Sequence, residues 1–133
     1  MTSAAEPDPR RRFVRPLAAA TGVYALVLVF ATHYPRPEEL LGPNPPSDKT
    51  LHFLAYGALG MAVATTLAAS GRWSPRAAMI ALGALAVFAV IDEVTQPLFS
   101  RQAEPLDWVY DVIGLTVGIA VVAAAHTWLG RQR

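Results

Sequence analysis

Four stretches of the chain are almost free of charge, separated by short polar segments. Leu17 to Thr32 carries no charged residue and runs on into His33 and Tyr34. Leu51 to Ser70 contains only His52 as a group ionisable near neutral pH, and Ala77 to Phe99 stays apolar until Asp92 and Glu93. Trp108 to Leu129 has Asp111 near its start and His126 near its end. At a rise of about 1.5 Å per residue, roughly 20 helical residues cross a hydrocarbon layer about 30 Å thick. Helices of a soluble bundle keep a polar face at a period of about 3.6. Ala77 to Ile91 is apolar all round instead. The pattern therefore predicts an all-α integral membrane bundle with four transmembrane helices, at about residues 15–34, 50–70, 76–98 and 107–129.

The connectors fit this division. Residues 35–50 form a loop rich in proline and polar groups, 71–76 a tight turn containing Trp73, and 100–105 the last connection. Residues 1–12 read as a polar, disordered tail before a single domain at 13–133. No internal repeat stands out.

Composition sharpens the picture. Of 133 residues, 16% are charged and 53% hydrophobic, with a mean hydropathy of +0.34. Soluble domains carry about 25% charged residues. A net charge of +1 and the absence of cysteine argue against nucleic-acid binding and a disulfide scaffold. Arg10, Arg11, Arg12, Arg15, Arg72, Arg76, Arg131 and Arg133 lie on one side of the layer, and Arg36, Lys49 and Arg101 on the other. The positive-inside rule then places both termini in the cytoplasm. Arg10-Arg11-Arg12-Phe13 loosely matches a twin-arginine leader. Three further spans and no clear cleavage site favour an uncleaved first helix.

The polar residues near the spans gather at one end, the outer end in this orientation. Asp48, Lys49, His52 and Tyr56 open the second helix, and Asp92, Glu93 and Gln96 close the third. Arg101, Asp107 and Asp111 lead into the fourth. Asp48, His52 and Tyr56 are spaced i, i+4, i+8 and share a helix face, as do Asp92 and Gln96. Ser47 or Asp48 is a suitable helix cap after Pro45-Pro46. Asp107 and Asp111 lie above Gly114 and Gly118, a small-residue strip suited to close helix packing or to an oligomer contact. A carboxylate deep in a bilayer costs on the order of 3 kcal/mol, so Asp92 and Glu93 require partners, protons or water. Pro97, four residues after Glu93, removes a backbone hydrogen bond and is expected to kink its helix.

These residues resemble the VanZ-like family of bacterial multi-pass membrane proteins. Asp48-Lys49-x-x-His52-Phe53-x-x-Tyr56-x-x-x-Gly60 is similar to the family's first signature, and Glu93-x-x-Gln96 to its second. Arg101 followed by Asp107-x-x-x-Asp111-x-x-Gly114-x-x-x-Gly118 resembles the third. The likeness covers about residues 48–118 in order, with one departure: the family usually has Asn where this chain has Asp111. It implies a protein of the bacterial cytoplasmic membrane, and the family's namesake is linked to resistance to the lipoglycopeptide teicoplanin.

Four functions are open on the residues alone. One is a non-enzymatic binding module in which Asp48, Lys49, His52, Tyr56, Asp92, Glu93, Gln96, Arg101, Asp107 and Asp111 form the site. Lys49 and Arg101 would meet phosphate, while Tyr56 and Trp108 would offer aromatic surface. Its partners would be membrane lipids, a lipid-linked cell-wall precursor or a lipoglycopeptide. The second is a structural ion-pair network. The third is a hydrolase or transferase acting on an envelope lipid, with His52 as base and Asp48 or Glu93 orienting it. The fourth is ion-coupled transport. A metal variant would draw on His52 and the acids. With no H-x-x-x-H or H-E-x-x-H spacing, no metal or cofactor is expected. His33, His126, Trp73, Trp108 and Trp128 read as groups at the membrane interface.

Overall fold

A computed structural model describes residues 11–36, 39, 41–42 and 44–132. The tail expected at 1–12 lies almost wholly outside the described residues. Four long helices follow in order: α1 (Arg11–His33), α2 (Asp48–Ala69), α3 (Pro75–Thr95) and α4 (Pro105–Arg131). A 3-10 turn, Gln96–Phe99, extends α3. All four helices are long and apolar enough to cross a membrane.

Local chemistry sets the helix ends. The Ser47 hydroxyl accepts the Thr50 N–H at 3.2 Å, so Ser47 caps α2 and Asp48 is its first residue. Ser74 caps α3 in the same way through the Ala77 N–H at 3.0 Å. Pro75 and Pro105 sit at the first positions of α3 and α4, where a missing N–H costs nothing. α1 begins four residues before the expected Arg15 and takes Pro16 inside it. The bond lost there belongs to the exposed first turn, where a free carbonyl is readily solvated.

Pro97 ends α3 instead of kinking it. It cannot serve the Glu93 carbonyl, which accepts the Gln96 N–H in a tighter turn. Ser100 then adopts a left-handed conformation (φ 63°), and the Arg101 N–H returns to the Gln96 carbonyl at 3.3 Å. This reversal points Arg101 back over the helix ends.

The bundle is apolar outside and polar within at one end. Leu26, Phe30 and Leu98 are 73%, 67% and 79% exposed, whereas Asp92, Asp107 and Asp111 are at most 3% exposed. An apolar surrounding medium suits that distribution. A small core of Leu28, Tyr56, Leu59, Ala89 and Leu115 joins the four helices.

α2 and α4 run parallel and form the tightest pair. A Cβ added at Gly60 would lie 2.7 Å from the Leu115 carbonyl oxygen. One added at Gly114 would strike the Phe53 carbonyl, and one at Gly118 the Gly57 carbonyl. The Gly114/Gly118 strip is thus consumed within the chain and is not free for an oligomer contact. Gly118→Ala should destabilise the fold by about 1–3 kcal/mol through overpacking against backbone. Gly83→Ala, whose Cβ would meet nothing within 4 Å, should be neutral or stabilising by up to about 1 kcal/mol. Thermal unfolding in detergent micelles compares them, and equal melting temperatures would contradict this packing.

Candidate functional site

The close α2–α4 seam brings acids and bases of the two helices into register. Lys49 Nζ lies 2.9 Å from Glu104 Oε2 and 3.5 Å from Asp107 Oδ1. One turn deeper, His52 Nδ1 is 2.9 Å from Asp111 Oδ1, with both side chains buried. Asp111 is the residue that orients the His52 ring, in place of the expected Asp48 or Glu93. The carboxylate there accepts from the imidazole, leaving the second ring nitrogen for another partner.

α3 adds two more carboxylates, each with its own donors. Asp92 accepts from the Tyr56 hydroxyl at 2.8 Å and the Thr32 hydroxyl at 3.0 Å. Glu93 accepts from Gln96 Nε2 at 3.0 Å and from the backbone N–H of Glu104. Glu93 therefore ties the end of α3 to the residue that precedes α4. Arg101 Nη2 donates to Asp48 Oδ2 at 2.9 Å and reaches toward the Tyr34 carbonyl. The loop after α3 is thereby strapped to the start of α2.

The structure gathers all ten sequence-predicted site residues at one end of the bundle, though not all in one role. Tyr56, expected to offer an aromatic face to a ligand, is fully buried; its hydroxyl is committed to Asp92. Trp108 is a clamp between α4 and α3, its Nε1 donating to the Ala86 carbonyl at 3.1 Å, and not an interface anchor. His33 is likewise not interfacial. It is 7% exposed, its Nδ1 is 2.8 Å from the Val29 carbonyl, and its Nε2 is 2.9 Å from Thr95 Oγ1. His33 Nδ1 also approaches Asp92 at 3.4 Å.

The sequence pattern put His33 at the membrane interface and did not mark Thr32, so both were missed as partners of Asp92. The available signal was their place at the end of a span on the same side as the acids. His126 and Trp128 are exposed at the opposite end, with Trp73 half-buried beside His126.

An apolar groove of about 270 Å³ opens beside this cluster, between α1 and α2. Val27, Leu28, Ala31, Leu51 and Ala55 line its walls, and Asp48, His52 and Arg101 line its polar end. Two overlapping groups of donors have metal-ligand spacing: Asp48, His52 and Asp107, and His52, Glu93 and Asp111. Among the described residues, Gln96 Oε1, Asp107 Oδ1 and Asp111 Oδ2 are buried without a hydrogen-bond partner.

Fold and site define a four-helix protein with four candidate membrane spans and a buried acid–base cluster at one end. No family model, curated protein or solved structure matches the chain.

Because Asp92 has only neutral hydroxyl donors besides the His33 ring, removing them should be costly. Tyr56→Phe should destabilise by about 1–3 kcal/mol. Adding Thr32→Val should cost more than the two single losses together, since the second change strips the carboxylate of its last hydroxyl. Unfolding of the two single variants and the double variant measures this, and simple additivity would contradict it.

Proposed function

We propose that this chain is a VanZ-like integral membrane protein of the bacterial cell envelope, with both termini cytoplasmic and the polar cluster at the outer leaflet. Its function is non-enzymatic binding of an amphiphile, with one hydrocarbon chain in the α1–α2 groove and an anionic head group at Arg101. The observation that carries this reading is the groove itself, apolar along its walls and ending on Arg101, Asp48 and His52. A membrane lipid, a lipid-linked cell-wall precursor and an acylated glycopeptide such as teicoplanin share that chemistry. Arg101 suits the role because its guanidinium offers several donors to a phosphate or carboxylate, and Asp48 is a partner that such a group can displace.

A second reading, hydrolysis or group transfer on an envelope lipid, is favoured by the His52–Asp111 pair. It would make His52 the general base with Asp111 as its orienting carboxylate. Lipid products formed on incubation with wild type but not with His52→Asn would establish it over simple binding.

Arg101→Met and Ala31→Phe test the binding reading from the two ends of the groove. Each should reduce co-purified lipid by about tenfold, the equivalent of one charge-assisted hydrogen bond. Mass spectrometry of the extracted lipids measures it, and unchanged lipid in both variants would overturn the reading. Orientation has its own test, because the chain has no cysteine. Gln102→Cys should react with an impermeant maleimide on intact cells, and Gln132→Cys only after permeabilisation. The reverse pattern would invert the topology.

A further inference from the structure

We propose that His52, Glu93 and Asp111 form a binding site for one divalent transition-metal ion, of the Mn²⁺ or Zn²⁺ class. Their ligand atoms lie within 4.8 Å of one another, and all three residues are buried. With bonds of about 2.0–2.2 Å, two atoms on one ion lie at most ~4.4 Å apart. A contraction of a few tenths of an ångström closes the site.

Spacing alone would describe any crowd of acids, but the hydrogen bonding around this triad distinguishes it. Asp111 is 1% exposed, and among the described residues its side chain has one hydrogen bond, which Oδ1 accepts from His52 Nδ1. Among the described residues its Oδ2 has no hydrogen-bond partner, and neither does Oε1 of Gln96, which donates to Glu93 through its amide nitrogen. Unpartnered buried acceptors are costly. Two of them beside an imidazole and two carboxylates call for a positively charged ligand.

Charge leads the same way. The six acids of the cluster, Asp48, Asp92, Glu93, Glu104, Asp107 and Asp111, are paired among the described residues with two Lys or Arg side chains, Lys49 and Arg101. Both cations are already engaged: Lys49 with Glu104 and Asp107, Arg101 with Asp48. The alternative triad of Asp48, His52 and Asp107 therefore already has cations on both of its carboxylates. The His52–Glu93–Asp111 triad has none, so it is where an added ion gains most.

Imidazole nitrogen in the donor set selects a transition ion over Mg²⁺ or Ca²⁺, which prefer oxygen alone. His52 also lines the groove, so the ion would stand at the groove's polar end. The site is nevertheless independent of whether the groove takes a lipid.

The full chain, stripped with chelator and reconstituted in phosphatidylcholine nanodiscs, is titrated with Mn²⁺ and with Zn²⁺ beside empty nanodiscs. Elemental analysis after desalting should give one ion per chain. Asp111→Asn and Glu93→Gln should each weaken binding by roughly 10–100-fold or more. Asp48→Asn, which disables only the alternative triad, should retain it. Pulsed electron paramagnetic resonance of bound Mn²⁺ in the wild type should show modulation from an imidazole nitrogen, so the test does not depend on variants that fold. Absence of ion above empty nanodiscs, absence of the nitrogen signal, or full binding by Asp111→Asn would each overturn the proposal.

Discussion

The polar end of this molecule depends on how closely α2 and α4 approach one another. Gly60, Gly114 and Gly118 leave no room for a Cβ, so backbone lies against backbone. That closeness, with the helices parallel, brings Lys49 to Asp107 and His52 to Asp111 at a nearly constant offset along the chain. Larger residues at the seam would spread the helices and separate each acid from its partner. In an apolar medium, acids so separated could not remain charged at tolerable cost. The acid–base cluster consequently depends on the glycine seam, which holds each acid at its partner.

The α3–α4 connection solves a related problem. A helix that ends among buried carboxylates leaves carbonyls and N–H groups that also need partners. Glu93 accepts the Glu104 N–H, and the Arg101 N–H returns to Gln96 after the left-handed Ser100. Arg101 itself then crosses to Asp48 and Tyr34. The loop thereby holds the three helix ends in one arrangement without contributing apolar area of its own. The left-handed serine costs about 1–2 kcal/mol, and the Gln96 and Arg101 bonds around it offset that cost.

How much of this was legible in the sequence follows from what each feature depends on. The helices were legible because their residues are apolar on every face, a property of each segment alone. The acids were legible for the complementary reason: a charge in an apolar run stands out wherever it points. The gathering of these groups at one end followed from the alternating direction of the spans. Partner identity was not legible. Asp92 is 60 residues from Thr32, and nothing local says that the first helix turns Thr32 and His33 inward. Trp108 looks like any aromatic at a span end until the Ala86 carbonyl is seen beneath its Nε1. Pro97 reads as a kink, and only the free Glu93 carbonyl taken by Gln96 makes it a terminus.

The cluster also separates into two chemically different parts, which differ in how fully their polar atoms are partnered. Around Asp92, every partner is a neighbour from another element or the adjacent turn: Tyr56 from α2, Thr32 and His33 from α1. That part is saturated, with a donor on each carboxylate oxygen, and joins α1, α2 and α3. Around Asp111 and Gln96, acceptors outnumber donors, and His52 connects the region to the groove wall. A network selected only to hold helices together has no reason to leave buried oxygens unpartnered, because each one weakens the structure it serves. The saturated half accounts for the fold. The unsaturated half, with Asp111 Oδ2 and Gln96 Oε1 unpartnered among the described residues, is the part that the proposed metal ion would complete.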